Sequence, residues 1–557
     1  MIPIPIPEFK VWDSKKKLKE EKLKSVAGLL DGKVVKSTDI VTLLESVIRP
    51  GETVAIEGDN QKQAADLSRA LTEVDPAKVN NLRIAMSCPQ MDEHLDIFEK
   101  GIAHELNFAY AGNTSARLPK MIEAGTLKLG AIHTYLEMFS RMFTDLTPNV
   151  CLCVAEEADR EGNLYTGPNT EETPTIIEAT AFKDGIVIVQ VNKIVDKVTR
   201  VDIPASWVDI IMESDEPCSI EPLMTRDPAK IKNLHILQAM MILKGIYAKH
   251  HVDRMNHGIG YVSAALELML PTYGEELGLK GKVCKYWVAN PIPAMIPAIE
   301  SGWAESCVAF GSEVGMEDYV RARSDIFFTG RDGSLRSNRC YAQMAGLYGC
   351  DMFTGSTLQM DYYGNSSTVT KSRITGFGGA PNMGSNPNGR RHTSEAWCSM
   401  VTDHSDPMAH GRKLVTQIVR TQTLNKKTGE MRDCIVPELD AVATAKKAGL
   451  PEPLVMIHGD DVTHLVTEIG LAYLYMAKDK EERKELIAAI AGNTALGKSM
   501  SEERRLELRR EGKVAFPEDL GIDPATATRD RLSAQTLEDI VEWSHGLYKI
   551  PDKFKAE

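Results

Sequence analysis

The stretch that decides the fold is "MNHGIGYVSAALELM", residues 255–269. A short strand-like start runs into Gly258-Ile259-Gly260, and helical periodicity begins immediately afterwards. A strand, glycine turn and helix in that order leave free backbone N–H groups at the helix start, aimed at an anion or a developing oxyanion. Taken alone, Gly-Ile-Gly is equally a plain tight turn. It is no dinucleotide fingerprint, because Ser263 stands where a third glycine belongs and no acidic residue follows at the required place. The passage has an earlier parallel in "TVAIEGDNQ" (53–61), which also precedes a helix; Gly58 and Gly258 lie 258 − 58 = 200 residues apart.

Other echoes keep that order. "DREGN" (159–163) returns as "DYYGN" (361–365), an offset of 361 − 159 = 202, and "IEAG" (122–125) resembles "IESG" (299–302). Apolar runs at 82–88, 152–158, 185–192, 282–290, 305–313 and 453–461 read as strands, and amphipathic segments such as "NQKQAADLSRALTEV" lie between them. The alternation predicts an α/β fold with mainly parallel sheets. The echoes predict two similar domains in tandem, residues 1–230 and 231–557, divided near the polar, proline-bearing "TRDPAKIKN" (225–233).

With 557 residues, 43% hydrophobic and 26% charged, the chain can bury substantial cores and is not a small binding module. No run of about 18 apolar residues occurs, and proline interrupts the N-terminal "MIPIPIPEFK" where a signal peptide would be apolar, so a cytoplasmic protein without a membrane anchor is expected. A net charge of −13 disfavours nucleic acid as a partner. The basic run Lys15–Lys24, broken by glutamates, reads as a solvated helix. Ten cysteines lack paired spacing, and Cys151 and Cys153 would have to turn to one strand face to bridge, so reduced thiols are expected.

Three stretches can carry chemistry. "RITGFGGAPNMGSNPNGRR" (373–391) holds Gly376, Gly378, Gly379, Gly384 and Gly389, too many for a helix or strand interior, so something must approach the main chain closely. "VAFGSEVGMEDY" brings Glu313 to a glycine-flanked turn at a strand's carboxyl end, where open α/β sheets bind ligands; the carboxylate is either a surface turn residue or a nucleophile or base. The arginines of "GRDGSLRSNR" (330–339) and "GRRH" (389–392) suit carboxylate or phosphate, or else are solvated loop charges. His250, Asp253 and His257 of "KHHVDRMNHG" have metal-site spacing on a helix, but histidines at a helix end more often cap or pack, and no metal is expected. Asp460 and Asp461 of "HGDDVTH" read as turn and cap residues.

Together "NHGIG", the Glu313-x-Gly315 turn, "STLQMDYYGNSS" and "GFGGAPNMG" resemble, in the same order, the family I acyl-CoA transferase superfamily over residues 50–475. Longer blocks, "RVDIPASWVD", "FFTGRDGSLRSNR", "GFGGAPNMGSNPNGRRH", "GDDVTHLVTEIGLAYLY", "PEDLGIDPATATRDRL" and "GLYKIP", resemble the malonate decarboxylase alpha-subunit family over nearly the whole chain. The citrate lyase alpha subunit is less similar in these blocks.

The resemblance implies two tandem CoA-transferase-like domains, the second catalytic and carrying a C-terminal helical extension. It implies exchange of acetyl-S-carrier protein and malonate for malonyl-S-carrier protein and acetate, with an acyl carrier protein and other decarboxylase subunits as partners. The thiol would belong to a phosphoribosyl-dephospho-CoA group of the carrier protein, or to a CoA thioester, leaving this chain without a covalent cofactor. Glu313 would be the catalytic nucleophile. Asn256, Gly258, Ile259, Gly260, Gly378, Gly379, Ala380 and Asn382 would form the oxyanion and thioester loops, and Arg331, Arg390 or Arg391 would take the second carboxylate of malonate. A basic docking patch would include Arg331, Arg336 and Arg339. A free-standing CoA transferase, a thioester hydrolase and a docking scaffold are the competing classes.

Overall fold

The computed structural model describes residues 10–59, 62–167, 170–215, 222–309, 311–327, 349–385, 413–425 and 428–555. The chain forms two compact units, residues 1–221 and 222–557, where the sequence predicts a division at 230/231.

The first unit is built on a ten-stranded sheet. Across its centre run Ile210–Glu213, Ile186–Val195, Val150–Asp159, Thr53–Ile56, Leu82–Ala85, Ala103–Phe108 and Lys128–Ile132, every neighbouring pair parallel. Val150–Ala155 and Ile186–Val191 are buried without alternation, as strands covered on both faces must be. Cys151 and Cys153 share one face of their strand, as residues two apart do, which corrects the expectation that they must turn to meet; both remain free thiols. Burial pushes the Cys153 thiol well up. The basic helix Lys10–Val26 is likewise less solvated than its charges suggest. Lys22 is buried against Glu52 at 2.6 Å, and Lys19 reaches Asp209 at 2.8 Å.

The second unit repeats the topology. Its eight-stranded sheet runs Ser306–Val308, Tyr286–Val288, Arg254–His257, Met352–Ser356, Leu414–Ile418 and His464–Val466 in parallel, then Leu471–Tyr473 and Val514–Ala515 antiparallel. Arg254–His257 thus occupies the place of Thr53–Ile56, Met352–Ser356 that of Val150–Asp159, and Ser306–Val308 that of Ala103–Phe108. The "IEAG"/"IESG" echo is corrected by this comparison, since Ile122–Gly125 ends the helix before Lys128–Ile132 and therefore belongs to a different step of the pattern. The true equivalent of Gly302 is Gly101, 302 − 101 = 201 residues earlier. Both are left-handed, with φ of +77° and +74°, and both close the preceding helix with the same pair of bonds: Gly101 N–H to Phe98 and Ile102 N–H to Ile97, Gly302 N–H to Ile299 and Trp303 N–H to Ala298.

Two further readings change. Residues 453–461 are not a strand; only Ile457 bridges, to Ser366, and the rest is turn and irregular backbone. The glycine-rich stretch contains a one-turn helix, Ala380–Gly384, despite its composition. The core of the second unit joins Trp287, Trp303 and Tyr319 to Leu532, Leu537, Ile540 and Tyr548, so residues far down the chain complete the core around the first strands.

Candidate active site

Strand Ser306–Val308 leads to a tight turn at Glu313, where Met316 N–H donates to the Glu313 carbonyl at 3.1 Å. Glu313 is wholly buried. Its own N–H donates to Pro291 O at 3.3 Å, tying the turn to the end of the neighbouring strand Tyr286–Val288. Carboxylate oxygen Oε1 accepts from the backbone N–H of Met224 at 3.3 Å and of Thr225 at 3.4 Å, and from the Thr225 hydroxyl at 3.2 Å. A buried carboxylate is tolerable only with such donors.

The Gly-Ile-Gly turn lies at the same carboxyl end of the sheet. Two strand spacings separate it from the Glu313 strand, roughly 10 Å. The expectation for Gly258 is corrected: its N–H donates to Thr354 O at 2.7 Å, continuing the parallel ladder of Arg254–His257 with Met352–Ser356, and is not free for a ligand. Ile259 and Gly260 retain N–H groups with no hydrogen-bond partner among the described residues, just ahead of helix Tyr261–Met269. A Cβ on Gly258 would lie 3.2 Å from Gly355 Cα, a tight approach to the neighbouring backbone that favours glycine there. Asn256 is committed below the loop, its side-chain amide donating to Val288 O.

Under the turn runs a buried polar brace. Tyr247, in a π-helical turn Leu243–Tyr247, places its hydroxyl 2.7 Å from His257 Nε2 and 2.9 Å from Thr354 Oγ1. His257 Nδ1 lies 3.0 Å from Glu267 Oε1. His250 instead faces His464 at 3.0 Å, and Asp253 pairs with Lys285 at 3.2 Å, so these three residues do not converge. Among the described residues no group of three His, Cys, Asp or Glu is placed to hold a metal ion.

The glycines of 376–384 divide by task. Gly376 and Gly378 are left-handed, with φ of +77° and +58°. A Cβ at Gly384 would stand 2.6 Å from Ile457 Cδ1 and 3.5 Å from Phe353 Cδ1, so a side chain there would have to displace the tip of Ile457. Gly379 and Ala380, partly exposed, start the short helix, while Asn382 is fully buried. This helix packs on strand Met352–Ser356, as the Gly-Ile-Gly turn does, so one strand carries both glycine stretches. Arg331, Arg390 and Arg391, with Arg336 and Arg339, lie outside the described residues.

The repeated Asp-x-x-Gly-Asn loops are structural knots. Asp159 Oδ1 accepts from the N–H groups of Glu161, Gly162 and Asn163, and Oδ2 from the Asn163 amide at 2.9 Å. Asp361 Oδ1 accepts from Tyr363 at 2.9 Å and Asn365 at 3.0 Å, and Oδ2 from the Asn365 amide at 2.7 Å. Each asparagine then accepts from a distant backbone N–H, Asn163 from Ala205 and Asn365 from Gly459. Ala103–Phe108, the equivalent of the Glu313 strand, is followed by Ala109-Tyr110-Ala111-Gly112-Asn113, which holds no acid.

Three residues around Glu313 escaped the reading of the sequence: Met224, Thr225 and Tyr548. The first two lie in "PLMTRDP", which has no motif character. Tyr548 belongs to "GLYKIP", and that segment docks on the Glu313 turn: Lys549 N–H donates to Gly315 O at 2.9 Å, and a Cβ on Gly315 would stand 1.9 Å from Lys549 O and 3.3 Å from the Tyr548 ring. Burial, and then the nearby Glu313 carboxylate, push the Tyr548 phenol far above its ordinary range.

A family model described as malonate decarboxylase, alpha subunit, transporter matches residues 11–557. The chain is 52% identical over 552 residues to the acetyl-S-ACP:malonate ACP transferase of Malonomonas rubra, covering 98% of this chain and 99% of that one. A chain in the crystal structure of a Pseudomonas malonate decarboxylase hetero-tetramer in complex with malonate is 52% identical, with a TM-score of 0.91 and 98% and 99% of the two chains covered. The alpha subunit of malonate decarboxylase from Acinetobacter baumannii is 53% identical, with a TM-score of 0.90 and 98% and 100% covered. No helix among the described residues is long and apolar enough to cross a membrane. The two units have the α/β architecture with mainly parallel sheets that was expected, and with nearly full-length agreement at this identity the chain belongs to the malonate decarboxylase alpha-subunit family.

Proposed function

We propose that this chain transfers an acyl-carrier-protein thiol from acetate to malonate, acetyl-S-carrier plus malonate giving malonyl-S-carrier plus acetate, beside other decarboxylase subunits in the cytoplasm. The observation that carries the reading is Glu313, a buried carboxylate at a strand's carboxyl end with one oxygen held by Met224 and Thr225. Thioester exchange needs a nucleophile that also leaves, and a carboxylate does both, whereas a serine ester would be too stable a resting place.

Glu313 attacks the acetyl carbonyl carbon; the C–S bond breaks, and an acetyl-glutamyl anhydride and a thiolate result. The thiolate then attacks the glutamyl carbonyl and acetate departs, leaving a glutamyl thioester. Malonate displaces the thiolate to give the malonyl-glutamyl anhydride, and thiolate attack on the malonyl carbonyl releases malonyl-S-carrier and restores Glu313. The N–H groups of Ile259 and Gly260 are the donors for the acyl oxygen as it becomes tetrahedral, with Gly378 and Gly379 lining the thioester's path; each such donor is worth about 3–4 kcal/mol. The thiol is that of a phosphoribosyl-dephospho-CoA group on the carrier protein. The second carboxylate of malonate is assigned to Arg331, Arg390 or Arg391.

Glu313→Gln, assayed for exchange of labelled malonate into an acetyl dephospho-CoA thioester, is expected to lose at least a thousandfold in rate while keeping its melting temperature. Hydroxylamine should capture a hydroxamate at Glu313 in the unsubstituted chain. Near-normal exchange by the glutamine variant would sink the nucleophile role.

A further inference from the structure

Tyr548 lies within the core of the second unit with no exposed surface, yet its hydroxyl has no hydrogen-bond partner among the described residues. Its polar neighbour is Thr225, whose own proton is given to Glu313 Oε1. Leaving a buried hydroxyl unsatisfied is costly, so its persistence here calls for a partner that arrives during turnover. The position is enforced from both sides. Tyr548 N–H donates to Ser544 Oγ at 2.9 Å, Lys549 N–H donates to Gly315 O, and the ring packs against the backbone of the Glu313-x-Gly315 turn. The three donors on Glu313 Oε1, at 3.2–3.4 Å, are longer than the usual 2.9–3.0 Å and do not close tightly on the planar carboxylate.

We propose that the Tyr548 hydroxyl is a donor held for the glutamyl group itself, engaged when the Glu313 carboxyl carbon becomes tetrahedral. This rests on the nucleophile reading of Glu313. In the step concerned, thiolate attacks the glutamyl carbonyl carbon of the acetyl-glutamyl anhydride. The C–S bond forms and the carbonyl electron pair moves onto oxygen; on collapse the C–O bond to acetate breaks and acetate leaves with that pair. A tetrahedral glutamyl carbon bearing an alkoxide forms only in this step and its malonyl counterpart, and a donor unsatisfied in the ground state but bonded there stabilises the transition state selectively. The segment around Tyr548 is thereby a working part of the site and more than a packing element.

Tyr548→Phe in the full chain tests this with acetyl dephospho-CoA and malonate. The expected result is a kcat lowered roughly 10- to 100-fold with little change in KM, a melting temperature equal to or above that of the parent because an unsatisfied polar group has gone, and hydroxylamine capture at Glu313 slowed alongside kcat, since the hydroxamate forms through the same tetrahedral glutamyl carbon. A structural role predicts the reverse, a lower melting temperature with kcat kept below it. Undiminished kcat in Tyr548→Phe overturns the inference whatever Glu313→Gln does. Normal exchange by Glu313→Gln overturns the nucleophile reading, and this inference with it.

Discussion

Lys549 and Gly315 are joined backbone to backbone, the lysine N–H donating to the glycine carbonyl at 2.9 Å across 549 − 315 = 234 residues of chain. The glycine is held at φ +87°, and the space its missing side chain leaves is filled by the Lys549 carbonyl oxygen. Gly315→Ala meets both obstacles at once. It should cost about 2–4 kcal/mol in denaturant titration and lower malonate exchange at least tenfold by shifting Glu313. A variant with parental stability and rate would show that this contact does not hold the turn.

The Asp-x-x-Gly-Asn knots separate architecture from chemistry. Asp159→Asn and Asp361→Asn each remove a charged acceptor from a set of amide donors and should each destabilise by about 2 kcal/mol. Hydroxylamine capture at Glu313 in Asp361→Asn, measured well below its melting temperature, should stay within twofold of the parent. Lost capture at unchanged stability would instead give Asp361 a role on the substrate.

Acid should weaken the first unit through His94. The ring is buried, its Nδ1 accepting from Met91 N–H at 3.3 Å and its Nε2 lying 3.2 Å from Ser68 Oγ, so a second ring proton would point at a donor. Burial lowers its pKa from 6.5 to about 3, and burial with Arg141 alongside lowers His133 to about 4. The unfolded chain therefore binds protons that the folded chain refuses. Stability is complete above pH 6.5 and falls as the pH drops from 6.5 towards 3–4, by up to roughly 4 kcal/mol for His94 alone. Urea titrations between pH 7.5 and 4.5 should show the slope, and His94→Gln should flatten it. An identical slope in that variant would remove His94 from the account.

Much of this architecture was legible because duplication leaves marks that local chemistry preserves. Asp159 and Asp361, and Gly101 and Gly302, stand 202 and 201 residues apart, and each pair does the same backbone task twice; Gly58 and Gly258 do not, because the bond that Gly258 N–H gives Thr354 O is given in the first unit by Glu57 N–H to Leu152 O. The false match was Gly125 with Gly302, since any helix may end in a left-handed glycine and four residues cannot say which helix it is. Strands buried on both faces, such as the run Ile186–Val191, announced themselves; Pro453–Asp461 read the same way because an apolar run is also what a buried irregular segment needs.

The candidate site was half legible. The place of Glu313, in a turn at a strand's carboxyl end, was legible from the residues, whereas the nucleophile role proposed for it rests on the family resemblance. The role expected of Gly258 failed because whether an N–H is free depends on the neighbouring strand, here on Thr354. Thr225 and Tyr548 were hidden for a related reason: they reach Glu313 from 313 − 225 = 88 residues upstream and 548 − 313 = 235 downstream, and no spacing rule spans such distances.

The docking of Lys549 on Gly315 also bears on biosynthesis. A ribosome delivers Glu313 long before it delivers Tyr548, so a growing chain can have its first unit folded and Glu313 made while the wall beside that carboxylate is still missing. Closure of the pocket around Glu313 is thus postponed until synthesis has passed residue 549.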